Sequence, residues 1–220
     1  MTTALPDRRE ARREARRATI LAAAWELARR DGLGGIGLRD LADRVGLRQP
    51  SLYVYFASKN DLYDAMFADG YVQMLAYLER RSLKKDPAAE LTAFAADLVQ
   101  FSSDDIVRHQ LLMQRTIPGF EPSEESWQVA LQFYDIARQR LAAVGVTGQG
   151  DLDVFSAIVA GLAHQQIAND PGGKRWVRQA GRVVDMFLAD VGKRRRTPAR
   201  TSHPHRPPAL TEDTDEGHGT

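Results

Sequence analysis

Cysteine is absent from all 220 residues, which excludes disulfide frameworks, cysteine nucleophiles and thiolate-rich zinc sites. Long apolar runs are missing too. Arg8, Arg9, Arg12, Arg13, Arg16 and Arg17 interrupt the N-terminus, and no later stretch approaches the roughly 20 apolar residues of a membrane span. The chain therefore reads as cytoplasmic, with no membrane partner. Period-two alternation, the mark of a half-buried strand, is also missing, so the expected fold class is all-α. His203, His205 and His218 are too loosely spaced for a metal site, and no cofactor is expected.

What is present is enough apolar character, 43%, for an ordinary core, and an uneven charge. The net +1 conceals residues 1–61 with 12 Lys/Arg against 8 Asp/Glu, and residues 62–192 with 12 against 17. The remaining stretch, 193–220, carries 6 against 4. A basic head thus precedes an acidic body. On charge alone, a nucleic-acid footprint and ordinary solvation of helical faces are equal readings.

Between Ala18 and Asp31, Ile20, Leu21, Ala24, Leu27 and Ala28 recur at helical spacing, with Gly32 as a stop. Gly34 to Gly37 lacks the strand and the Lys-Ser/Thr of a phosphate loop and reads as a linker. A short second helix follows from Leu38 to Val45 and ends at Gly46. A third begins near Gln49, with Pro50 early in it, and is expected to run through Tyr55. Two short helices around a glycine turn make a helix-turn-helix. Ser58 offers a cap for a fourth helix extending toward Ser82, and further helices are expected at about 87–102, 104–115, 122–144, 151–169 and 173–191.

From Ile20 to Leu62 the residues Ile20-Leu21-Ala22-Ala23-Ala24, Gly32, Leu38-Arg39-Asp40-Leu41-Ala42, Gly46, Leu52-Tyr53, Tyr55-Phe56 and Ser58-Lys59 stand at one family's spacing. This segment resembles the DNA-binding domain of the tetracycline-repressor (TetR) family. The resemblance implies a three-helix DNA-binding domain on a helical ligand-binding and dimerisation domain, about nine helices in all. The division expected is a basic arm at 1–17, which either extends the first helix toward the minor groove or frays, a head at 18–61, a body at 62–192 and a disordered tail at 193–220. It also implies reading positions at Gln49, Pro50 and Ser51, with Arg39, Tyr53, Tyr55 and Lys59 on phosphates. Two residues depart from the family pattern: Gly37 and Arg48 stand where Ser or Thr is usual. Arg48 adds charge beside the reading helix, suited to a phosphate or guanine contact.

The same resemblance implies a homodimer built on the last two helices, with Phe155, Val159, Leu162, Val184 and Phe187 expected at its interface and a palindromic operator as its partner. It implies an effector pocket among the middle helices. Phe101, Met113, Trp127, Phe133 and Tyr134 are the expected apolar lining, with His164, and with Gln165 and His109 as further polar candidates. The function expected is a non-enzymatic repressor released by a small molecule. A ligand-independent dimer and an activator remain alternatives, as does a metal-dependent enzyme built on Asp105 and His109.

Overall fold

Side chains with a lone pair to offer mark where the four helices in the middle of this chain begin. In the computed structural model, which describes residues 8–196, Ser58 accepts from the Asp61 amide at 3.0 Å and opens α4 (Lys59–Glu79). Asp86 accepts from Ala89 at 2.8 Å and opens α5 (Pro87–Asp104), whose first residue has no N–H to satisfy. Asp105 and Ser123 do the same for α6 (Ile106–Met113) and α7 (Glu124–Ala143). Where no capping side chain stands, Gly37 and Arg48 precede α2 (Leu38–Arg44) and α3 (Gln49–Leu52) in extended conformation without a side-chain cap. The remaining helices are α1 (Arg8–Asp31), α8 (Gln149–Asn169) and α9 (Ala180–Arg196), the last preceded by a 3-10 turn at Val177–Gln179. Among the described residues all regular structure is helical, in agreement with the expected class.

Gly46 ends α2 with φ +65°, a conformation that costs a residue with a Cβ. The Leu47 amide reaches back to Ala42 O at 2.8 Å and Gly46 N to Asp43 O at 3.1 Å, the paired bonds of a left-handed helix stop. That stop turns the chain sharply enough for α3 to cross α2.

Two apolar clusters result. Ile20, Ala24, Leu27, Leu41, Leu52, Phe56, Leu62 and Met66 join α1 to α4 in one. Tyr71, Met74, Leu91, Phe94, Val99, Phe133, Leu141, Phe155 and Val184 hold α4, α5, α7, α8 and α9 in the other. Burying each large aliphatic side chain contributes about 1.5–3 kcal/mol, so either set can carry its own cooperative core. Two helices serve both clusters. α4 gives Leu62 and Met66 to the first and Tyr71 and Met74 to the second, and α6 gives Leu111 to the first and Leu112 to the second. α6 comes close to α4 at Gly70, where an added Cβ would sit 2.9 Å from a methyl of Leu112.

Three expectations change at helix ends. Helix three stops at Leu52, not Tyr55: the Tyr55 and Phe56 amides both return to Leu52 O, at 2.9 and 3.1 Å, and this turn delivers Phe56 to the core. The last helix starts at Ala180 instead of 173, because the Arg175 and Trp176 amides are taken by Asp170 and Gln166 and a 3-10 turn fills Val177–Gln179. It then runs on through Arg196, so the Lys193–Arg196 run expected at the head of a disordered tail is helical. Arg194 is pinned there by Asp151 at 2.6 Å and Asp190 at 2.8 Å. The rest of that tail, 197–220, and residues 1–7 of the arm lie outside the described residues.

Candidate nucleic-acid interface and effector cavity

α3 is amphipathic over a single turn. Leu52 faces inward at 1% exposure and holds the helix on the head's core, and the other side of the turn is left to solvent. Arg48, Pro50, Ser51, Tyr53 and Val54 are exposed, Gln49 is half-buried, and the Gln49 amide donates to the Tyr53 hydroxyl at 3.4 Å. Arg39 on α2 is exposed as well. The expected reading positions Gln49, Pro50 and Ser51 and the expected clamp Tyr53 therefore stand close together on α3 and the residue that ends it. Their donors and acceptors are the kinds that pair with base edges and phosphates.

One expected clamp is engaged within the protein. Lys59, expected on the DNA backbone, donates from Nζ to Gly34 O at 2.9 Å and lies 5.6 Å from the Tyr63 ring centre, where it ties the α1–α2 loop to α4. Tyr55 is half-buried, and its carbonyl receives Arg17 Nη1 at 3.4 Å. Arg16 Nη2 donates to Val45 O at 2.6 Å, so α1 grips the chain on both sides of α3. In the sequence these two arginines belong only to the basic arm.

The body contains a cavity of about 300 Å³, at the small end of ligand pockets in general. Its apolar wall includes Met74, Phe94, Leu98, Phe133, Leu141 and Phe155, and His109 and Ser102 supply polar atoms. Arg138, Gln149, Asp153 and Ser156 add polar groups. Of the expected lining, Met113, Phe133 and Tyr134 are present. Phe101, Trp127 and His164 are not. Phe101 is packed under the Arg108 guanidinium at 3.6 Å and beside Tyr77. Trp127 stacks on Phe67 with its other side toward solvent. His164 is exposed, one residue beyond Ala163 on the wall. Burial, reinforced by the nearby charge of His164, pushes His109 below the usual imidazole range and keeps it neutral.

Asp105, the alternative partner for His109 on a cation, has its carboxylate engaged elsewhere. It receives Arg29 at 2.7 Å and the Arg108 amide at 3.1 Å. Among the described residues no group of three or more His, Asp or Glu could hold a metal ion.

The residues expected at a dimer interface, Phe155, Val159, Leu162, Val184 and Phe187, belong instead to the core of the single chain, each no more than 7% exposed. They meet α5 and each other; Phe155 and Phe187 rings are 5.6 Å apart. The outward side of the same helices carries Val154, Ala157, Gly161 and Met186, with Val154 at 48% and Met186 at 63% exposure. Sequence reasoning also passed over Gln166, which is wholly buried. Its Oε1 accepts from the Trp176 amide at 2.8 Å, and its amide donates to Asp170 O, fastening the α8–α9 connection.

Residues 20–66 match the family described as bacterial regulatory proteins, tetR family. Over 48 residues the chain is 42% identical to the tetracycline repressor protein class A from transposon 1721 of Escherichia coli, a match spanning 22% of each chain. Among solved structures, a TetR variant from Acinetobacter baumannii AYE in complex with minocycline superimposes with a TM-score of 0.54 at 25% identity, over 80% of this chain and 96% of that one. AibR in complex with isovaleryl coenzyme A and operator DNA has the same fold, with a TM-score of 0.60 at 16% identity over 79% and 98%.

Proposed function

Because the chain belongs, through residues 20–66, to the tetR family of bacterial regulatory proteins, we propose that it is a homodimeric transcriptional repressor, released from a palindromic operator by a small molecule. The observation that carries this reading is the division of α3: Leu52 is locked in the core, and Arg48, Pro50, Ser51 and Tyr53 stand together in solvent. A helix presented in this way reads a major groove with its first residues. Gln49 and Arg48 offer hydrogen bonds to base edges, Pro50 a contact to a thymine methyl, and Tyr53 and Arg39 hold phosphates. Solved relatives carrying minocycline, or isovaleryl coenzyme A with operator DNA, support both halves of the assignment.

The second copy docks on the outward faces of α8 and α9, where exposed Val154, Ala157, Gly161 and Met186 supply small and apolar side chains for close helix approach. The effector occupies the cavity beside His109. A volume of about 300 Å³ with a mainly apolar wall selects a compact, largely apolar molecule with one or two polar groups. Its binding lowers operator affinity by favouring a dimer whose heads no longer match the half-site spacing.

The test is binding to the DNA upstream of the protein's own gene, followed by fluorescence anisotropy. Selective binding that Gln49→Ala and Tyr53→Ala each weaken about tenfold, an amount in keeping with the loss of one polar contact, is the result expected. Binding no tighter than to random DNA, unmoved by either substitution, would sink the reading.

A further inference from the structure

α1 is longer than the head needs. Trp25 donates to Asp69 of α4 at 2.7 Å, and Arg29 reaches Asp105 at 2.7 Å, so the C-terminal part of α1 is tied to the body side of the molecule. Arg16 and Arg17 touch the chain on both sides of α3, at Val45 O and Tyr55 O, and Arg17 also lies 4.7 Å over the Phe56 ring. From Arg16 the helix continues to Arg8, a further 12 Å or so at about 1.5 Å per residue. Its direction is set by the two attachments, so residues 8–15 continue the line that runs from Arg29, at Asp105, to Arg16 and Arg17, at Val45 and Tyr55. All eight are exposed.

This stretch has one charged side. At about 100° per residue, Arg8, Arg12, Arg16, Arg9, Arg13 and Arg17 fall within one half of the helix circumference. Glu10, Glu14, Ala11 and Ala15 take the other half. Like charges four residues apart, at 8, 12 and 16 and at 9, 13 and 17, work against this helix in isolation. A polyanion laid along the stripe would convert that repulsion into attraction. Duplex DNA carries a phosphate about every 3.4 Å of axis per strand, so the roughly 12 Å from Arg8 to Arg16 faces three or four of them.

We infer that the N-terminal half of α1 is a second DNA-binding element, a phosphate clamp that grips the duplex beside the site read by α3 and does so without regard to sequence. It rests on the operator reading for its placement and adds to it a contact that α3 does not make. Arg16 and Arg17 anchor the stripe to the head, and Arg8, Arg12 and Arg13 carry it onto the backbone.

The test uses the full chain, a duplex selected by this protein from a random-sequence library, and a scrambled duplex of equal length, each titrated between 50 and 200 mM salt. Arg8, Arg12 and Arg13 replaced together by Ala should weaken binding to both duplexes and leave the ratio between them unchanged. Each phosphate contact contributes about 0.9 to the slope of log affinity against log salt, so the gap between wild type and variant should narrow ten- to fortyfold across that range. The triple Lys variant should retain the steep slope, and binding should slow hydrogen exchange of amides 8–15. Equal slopes for wild type and the Ala variant on the selected duplex would overturn the clamp and leave the operator reading standing. A stripe-dependent slope with no preference for any selected sequence would sustain the clamp and remove the operator reading instead.

Discussion

Arg29 on α1 and Asp105 at the α5–α6 junction meet at 2.7 Å, and the same carboxylate caps the first turn of α6 through the Arg108 amide. One side chain thus opens a helix whose later residues, His109 and Met113, line the cavity, and holds α1, which bonds the chain on both sides of α3.

Replacing Asp105 by Ala removes both the cap and the ion pair, and a loss of about 1–3 kcal/mol is expected. Arg29→Ala leaves the cap in place and should cost less, because Arg29 is 47% exposed. Chemical denaturation of the two variants measures the difference. If the pair also conveys occupancy of the cavity to the head, both variants will show a smaller effect of effector on operator affinity.

Glu90 is held by Arg81, with further bonds from the Lys84 amide and Arg140, and its carboxyl is lowered from 4.5 to about 2. A carboxylate whose acidity is strengthened by folding contributes stability that is present above its unfolded value near 4.5 and is lost as the pH falls toward 2. Glu90→Gln should therefore lower the midpoint of urea unfolding at pH 7, with a stability loss of about 3–5 kcal/mol for a buried pair broken on one side. It should also flatten the dependence of that midpoint on pH below 4.5. An unchanged slope between wild type and variant would place the acid sensitivity elsewhere.

His109 has the same sense, from burial and not from ion pairing. Burial, then His164, lowers its imidazole below 6.5, so the unfolded chain takes up a proton more readily than the folded one. Stability from this group is complete above pH 6.5 and falls as the pH drops through that value. His109→Gln should remove part of the loss in thermal midpoint between pH 7 and pH 5, measured against wild type in the same buffers.

The head was largely legible because its signals are local. Ile20, Leu27, Leu41 and Leu52 keep helical spacing, and Gly46 supplies a turn that other residues resist. The end of α3 was not legible. Nothing in Tyr53-Val54-Tyr55 forbids a helix, and the turn there serves a distant need, seating Phe56 against the core with Val54 in solvent at 67% exposure. The body hid more. α8 is apolar on most of its circumference, and periodicity cannot divide Phe155, which meets Phe187 within the chain, from Val154, which faces out. Phe101 and Trp127 give the same aromatic signal as Phe133, and only the packing of Arg108 and Phe67 shows that they stand off the cavity.

Gln166 was invisible for a related reason: in sequence it is one of two adjacent glutamines. Gln166→Leu keeps the volume and leaves the Trp176 amide without its 2.8 Å partner. The unsatisfied buried donor should cost about 1–3 kcal/mol, whereas the neighbouring exposed Gln165→Leu should be close to neutral. Comparing the two melting curves separates a role for this amide from a general intolerance of leucine in α8.

α6 gives Leu111 to one core and Leu112, beside Gly70, to the other. This sets a rule for anyone transplanting heads between relatives to rewire a promoter. A graft cut within α4 would marry a foreign head to a native α6, and the recipient's Leu111 would press into a cavity shaped for another side chain. The transferable unit is discontinuous: α1 to the middle of α4, together with the short stretch from Asp105 to Met113 that lies far along the chain.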